Sequence, residues 1–177
     1  MSMPSTLAAG DLRLRRYRLD HGPFVAAAVR ESGRHLARYE TWAHPGFDDD
    51  EGRRHASWWE QAWEAGTARY YAIWRGDRYL GSVGISGIDL EHKTAGLGYW
   101  VRASGIGEGV ATAAASAVVE AAFEDEGLQR IEVMTAVGNA ASRRVAEKLG
   151  AGLEGILRKR QVLDGMAVDC ALYSIIR

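Results

Sequence analysis

The sequence predicts a mixed α/β domain whose sheet has both parallel and antiparallel neighbours. Three observations predict it. Segments that alternate on a two-residue period are interleaved with segments on a helical period. The dipeptides Gly76-Asp77 and Asp164-Gly165 each separate two strand-like runs, which is a hairpin signal. Glycine makes up 21 of the 177 residues and is concentrated between Gly76 and Gly109, where tight turns and close backbone approaches are expected.

Taken in order, Leu12 and Leu14 alternate with Arg13 and Arg15, a short strand. Residues 20–38 are rich in alanine and arginine and read as a helix. Residues 41–50, which include Trp42, His44, Pro45 and three aspartates, read as a loop. Residues 51–65 read as a second helix with His55, Trp59, Ala62 and Trp63 on one face. Residues 70–74, 78–88 and 97–101 are strand-like. A glycine-rich turn follows, then an alanine-rich helix over 109–126. Ile131, Val133, Thr135 and Val137 mark a strand. Residues 139–149 form a helix on which Arg143 and Glu147, one turn apart, are expected to pair. Gly150 and Gly152 end it. Two terminal strands, 153–163 and 167–176, complete the order.

Composition narrows the function. A formal charge of −1 argues against a broad basic face for duplex nucleic acid. The single Cys170 excludes an intramolecular disulfide and a four-cysteine zinc site, and no metal is expected. No apolar run approaches the roughly 18 residues of a membrane span, and Met1 to Gly10 lacks the pattern of a secretory signal. The expectation is one cytoplasmic domain over residues 1–177, with 1–10 a flexible tail, working without membrane or nucleic acid as a monomer or homodimer.

Two segments carry chemistry. In the first, Tyr99-Trp100-Val101 runs through Arg102 to Ile106 into Gly107-Glu108-Gly109-Val110-Ala111-Thr112. A strand that enters a glycine-rich turn and opens a helix aims free N–H groups at one spot, and an anion such as phosphate fits there. A connection with no ligand is the plainer alternative. No Gly-Lys-Ser/Thr follows, so this is not a Walker loop. In the second, Asn139 and Ser142 share one face at a helix start, and either capping or ligand contact accounts for them.

Four features together resemble the GNAT superfamily of acyl-CoA-dependent N-acyltransferases, in the branch of the ribosomal-protein alanine acetyltransferases RimJ and RimL. They are Gly98-Tyr99-Trp100-Val101; the Gly-x-Gly-x-Ala-Thr stretch from Gly107 to Thr112; Asn139-x-x-Ser142 with Glu147-Lys148-Leu149-Gly150; and an ending with Leu153-Glu154-Gly155, Asp164-Gly165, Asp169 and Leu172-Tyr173-Ser174. The resemblance spans residues 12–177. It implies a strongly twisted mixed sheet of about seven strands flanked by about four helices. It implies acetyl-CoA lying between two splayed strands, its pantetheine arm on the backbone near Val101. It further implies pyrophosphate on the amides of Gly107, Glu108, Gly109, Val110, Ala111 and Thr112. Asn139 would bond the pantetheine arm or the acceptor, and Ser142 would protonate the leaving thiolate.

The chain departs from that pattern at Ile106 and Glu108, where relatives carry Arg or Gln and a basic residue. It also lacks the acids often found at the positions of Gly96 and Gln161. Glu108 is expected to weaken coenzyme binding without abolishing it. With no evident base, a water relay to Glu40, Asp89 or His92 is one route, and the low-pKa α-amine of a protein N-terminus or a small amine is the better acceptor. Trp42 and Tyr39 are the candidates for the acceptor pocket, within the aromatic-rich stretch 38–63. Trp59 and Trp63 read as core, and Cys170 as packing. The reaction implied is direct attack of the amine on the thioester. A silent acyl-CoA-binding module and a detoxifying acetyltransferase are the alternatives.

Overall fold

Leu12 and Leu14 are buried while Arg13 and Arg15 face solvent, as the alternation requires. This is β2 (Leu12–Arg16) of a sheet that the computed structural model, describing residues 2–177, extends to eight strands. The others are β1 (Thr6–Ala9), β3 (Ala68–Arg75), β4 (Arg78–Asp89), β5 (Thr94–Val101), β6 (Arg130–Ala136), β7 (Gly152–Leu163) and β8 (Met166–Ile176). The helices are α1 (Gly22–Leu36), α2 (Asp49–Glu64), α3 (Val110–Asp125) and α4 (Ala140–Lys148). Strand order is β1-β2-β3-β4-β5-β6-β8-β7, antiparallel throughout except for the parallel β5–β6 pair.

The expected tail is a correction. Thr6–Ala9 pairs with Leu12–Arg15 across a Gly10-Asp11 turn, with Gly10 at φ +63°. Gly-Asp is the same signal as Gly76-Asp77, but Thr-Leu-Ala-Ala is too short and too weakly alternating to read as a strand. The segment before it is anchored as well. Met3 is buried and its N–H donates to Glu126 Oε1, while the Tyr71 hydroxyl donates to the Pro4 carbonyl. Glu126 also forms a buried pair with Arg69 at 2.7 Å.

Helix α2 begins two residues before its expected start. Asp48 accepts from the Glu51 N–H at 2.8 Å and its own N–H donates back to Glu51 at 3.0 Å, so the aspartates read as loop are a capping box and first turn. Helices α1 and α2 cover one sheet face and cross at glycine. A Cβ on Gly52 would collide with the Gly22 carbonyl, and one on Gly22 with the Arg53 backbone. Their core includes Tyr17, Val25, Tyr70, Trp74, Tyr79 and Trp100. On the other face α3 presents Ala114, Ala115, Val118 and Ala122, small enough to bring the helix close to Leu97, Ile131 and Val133.

One feature of this sheet positions the site. β5 and β6 pair only at Thr94↔Arg130, Ala95↔Ile131 and Gly96↔Glu132. β5 continues beside β4 to Val101, and β6 continues beside β8 to Ala136. From Leu97 and Val133 onward the two strands therefore diverge, and the sheet opens in a V that joins its two faces.

Candidate active site at the strand divergence

A cavity of about 420 Å³ lies at this opening. Its lining includes Val101 from β5, Gly107, Gly109, Val110, Ala111 and Thr112 from the turn and α3, and Asn139 and Ser142 from α4. Tyr39 and Glu40, which follow α1, line it as well. The structure thus brings together the residues singled out for the coenzyme, with Glu108 as the exception.

Gly107 and Gly109 have φ of +84° and +76°, a region other residues rarely adopt, which is why this turn is built of glycine. Gly109 is the N-cap of α3. Among the described residues, the N–H groups of Gly107 to Thr112 have no intramolecular acceptor; the first bonded amide of the helix is that of Ala113, to the Gly109 carbonyl at 3.0 Å. Five of these six donors belong to residues that line the cavity, and the positive end of a 16-residue helix stands behind them. Arg144 and Lys148 of α4 add two cations to the lining.

The Glu108 side chain does not line the cavity. It pairs with Arg75, which also binds Asp11 at 2.7 Å. The pairing holds its charge outside the turn, against the β2–β3 end of the sheet. Its backbone N–H has no intramolecular acceptor, but the residue stands outside the lining.

Asn139 caps α4: its Oδ1 accepts from the Ser142 N–H at 3.2 Å. The capping reading holds, and it leaves the side-chain amide nitrogen without an intramolecular partner among the described residues. The Ser142 hydroxyl oxygen lies 3.0 Å from the Tyr99 hydroxyl oxygen, and Tyr99 donates to the Ser142 carbonyl, also at 3.0 Å. With the Tyr99 proton so committed, Ser142 Oγ–H donates to Tyr99. Burial raises the Tyr99 pKa, keeping the phenol neutral. Tyr99 is a residue the sequence reading missed. It sits on the face of β5 opposite Trp100, and an aromatic on an alternating strand reads as core.

The expected Arg143–Glu147 pair is replaced by a bridge. Arg143 Nε donates to the Tyr173 hydroxyl at 3.0 Å, and that hydroxyl donates to Glu147 at 3.3 Å.

Tyr39 lines the cavity, its hydroxyl bonded to the Gly138 carbonyl at 3.2 Å. Trp42, expected beside it, lies one layer behind. Its ring packs at 4.6 Å from His55 and 5.7 Å from both Phe47 and Trp100, and its Nε1 donates to Glu40 Oε2 at 2.8 Å. Trp59 stacks on Tyr70 at 3.7 Å and Trp63 is buried against Tyr71, as core residues. His55 accepts from Trp59 Nε1 at 3.2 Å, and burial pushes its pKa down to about 4. Asp89 and His92 form an exposed pair away from the cavity, and Gln161 accepts from the buried Cys170. Of the three relay candidates only Glu40 reaches the site.

A sheet parted at its centre, with an amide-lined helix start in the gap, forms a cleft suited to an extended ligand that carries negative charge. Comparison with known proteins agrees: residues 11–152 match the family model described as Acetyltransferase (GNAT) domain, and the chain belongs to that family. YdaF of Bacillus subtilis is 34% identical over 97 residues, covering 55% of this chain and 53% of that protein. The ribosomal-protein-serine acetyltransferase of Escherichia coli is 30% identical over 111 residues, covering 63% of this chain and 62% of the relative. The chain thus spans little more than half the length of these curated relatives. Among solved structures, RimL, the ribosomal L7/L12 α-N-protein acetyltransferase in complex with coenzyme A, superposes with a TM-score of 0.90 at 24% identity over 97% of both chains. The microcin C7 self-immunity acetyltransferase MccE, in complex with acetyl-CoA and AMP, superposes with a TM-score of 0.91 at 24% identity over 98% of this chain and 97% of its own. At that identity the likeness establishes the fold.

Proposed function

We propose that this chain is a single-domain, cytoplasmic, acetyl-CoA-dependent N-acetyltransferase that acts on a protein N-terminal α-amine or a small amine. The observation that carries this reading is the set of unspent amides from Gly107 to Thr112 at the mouth of the β5–β6 gap. Relatives named for acetylation of ribosomal proteins support the protein-amine acceptor.

In this reading the amides hold the pyrophosphate, each charge-assisted bond contributing about 1.5–3 kcal/mol, with Arg144 and Lys148 beside them. The pantetheine arm lies along β5 beyond Gly96, where the strand edge has no partner. The amine nitrogen attacks the thioester carbonyl carbon, the C–S bond breaks, and the amide forms. The backbone near Val101 stabilises the oxyanion. Ser142 Oγ–H gives its proton to the departing thiolate, and the proton that the nitrogen releases as the amide forms returns to Ser142 through solvent, while Tyr99, 3.0 Å away, stays a neutral phenol that positions the serine hydroxyl.

Calorimetry with acetyl-CoA, followed by thiol release with a panel of α-amine peptides and small amines, tests the proposal. Micromolar binding with release supports it, and absence of binding overturns it. Gly96 favours a second reading, a silent acyl-CoA-binding module. A Cβ there would meet only the Ser86 carbonyl, at 3.7 Å, so an acid would fit and the chain supplies none. Binding without release for any amine selects this second reading.

A further inference from the structure

The cavity lining carries groups of opposite charge. The positive groups include Arg144, Lys148 and the free amides. From α1 and the segment that follows it the lining is His35, Leu36, Tyr39 and Glu40, joined by Trp100 of β5. Glu40 is the sole carboxylate in the lining, and no cation among the described residues pairs with it. One of its oxygens, Oε2, is held by Trp42 Nε1 at 2.8 Å, while Oε1 has no intramolecular hydrogen bond. Close to it are the indoles of Trp42 and Trp100 and the buried phenol of Tyr70, with His35 also in the lining, and burial raises the Glu40 pKa, a cost to its charged form. An incoming cation relieves that cost and favours the carboxylate, and aromatic faces add their own attraction for positive charge.

We propose that Glu40 docks the positive charge of the acceptor, so that the cavity selects an amine that arrives as its ammonium form and releases one proton to solvent before its nitrogen attacks. The inference rests on the transferase reading above and names the acceptor class of that same cavity: a protonated primary amine on an apolar or aromatic stem. The Trp42 bond fixes the carboxylate so that Oε1 is the oxygen available for contact. The charges in the lining then sort the reactants, anionic coenzyme toward the amides, Arg144 and Lys148 and cationic acceptor toward Glu40.

The test uses the full chain, with and without saturating coenzyme A, and two probes of like shape, phenethylammonium and its neutral counterpart 2-phenylethanol. Binding is read by ligand-observed NMR near neutral pH. The wild type is expected to bind the ammonium about tenfold more tightly than the alcohol, a ratio fit for one charge-assisted hydrogen bond. Glu40→Gln brings the two within about twofold and leaves coenzyme A affinity, read by calorimetry, unchanged. Should Glu40→Gln fail to fold, Glu40→Asp keeps the charge and retains a preference for the ammonium. Equal binding of both probes to the wild type, an undiminished preference in Glu40→Gln, or loss of preference in a folded Glu40→Asp overturns the proposal. Failure of coenzyme A to bind the wild type instead overturns the transferase reading, because the probe preference is measured without coenzyme as well.

Discussion

Arg75 turns the one acidic side chain of the glycine-rich turn, Glu108, away from the cavity and neutralises it there. A carboxylate beside a pyrophosphate site opposes binding when it stands alone, but here a guanidinium lies in contact with it. Glu108→Gln is therefore expected to change coenzyme A affinity by less than about threefold, with the change fading as salt is raised. Calorimetry at two salt concentrations measures it. A tightening of tenfold or more would mean that Arg75 does not offset the charge.

Ser142 and Tyr99 form a hydroxyl pair, and both line the cavity, the serine from α4 and the tyrosine from β5. Ser142→Ala is expected to lower kcat about a hundredfold with KM for acetyl-CoA within about threefold of wild type. Tyr99→Phe, which leaves the serine proton in place, lowers kcat by about tenfold. Steady-state kinetics with an amine that the panel identifies separates the two. An unchanged kcat in Ser142→Ala removes it as proton donor.

Asn139 has two separable functions. Asn139→Ala removes the cap of α4, a loss of about 1 kcal/mol, and lowers Tm by about 2–4 °C. Asn139→Asp keeps the accepting oxygen and so keeps Tm, but it loses the amide donor and weakens coenzyme A binding. Thermal melts beside calorimetry read both. Equal binding by wild type and Asn139→Asp would leave Asn139 a cap alone.

His55 makes stability depend on pH. Burial holds its folded pKa at about 4, below the unfolded value of 6.5, so the folded state resists its protonation. The stability linked to it is full above pH about 6.5 and falls by about 3 kcal/mol as pH is lowered toward 4. Denaturant melts of wild type and His55→Asn between pH 7 and 4 should converge over that window. Parallel curves would contradict a buried neutral imidazole.

The parts of the site legible in the sequence are those where backbone conformation constrains residue type. Gly107 and Gly109 are glycines because φ is positive there, and Asn139 precedes Ser142 because α4 needs a cap. Such requirements leave local patterns. The rest depends on which surfaces meet. Trp42 reads as pocket lining because it sits in a loop, yet whether its ring faces the cavity or backs it is decided by His55, Phe47 and Trp100, distant in sequence. Glu40 comes to the cavity only through the α1–α2 crossing, where Gly22 and Gly52 touch. Tyr99 is hidden for the opposite reason, since strand alternation assigns it to packing. Strand β1 escapes notice because four small residues gain their order from β2 and not from their own pattern.

The three rungs joining β5 to β6 have a mechanical consequence. They form a short spine between two slabs, one ending at β5 and the other beginning at β6. A linear ligand with its own amide groups, laid along the parted edges, supplies the cross-links that the polypeptide omits. Occupancy and cohesion then become one quantity: the reactant, while it stays, is part of the masonry, and its departure loosens the wall that held it.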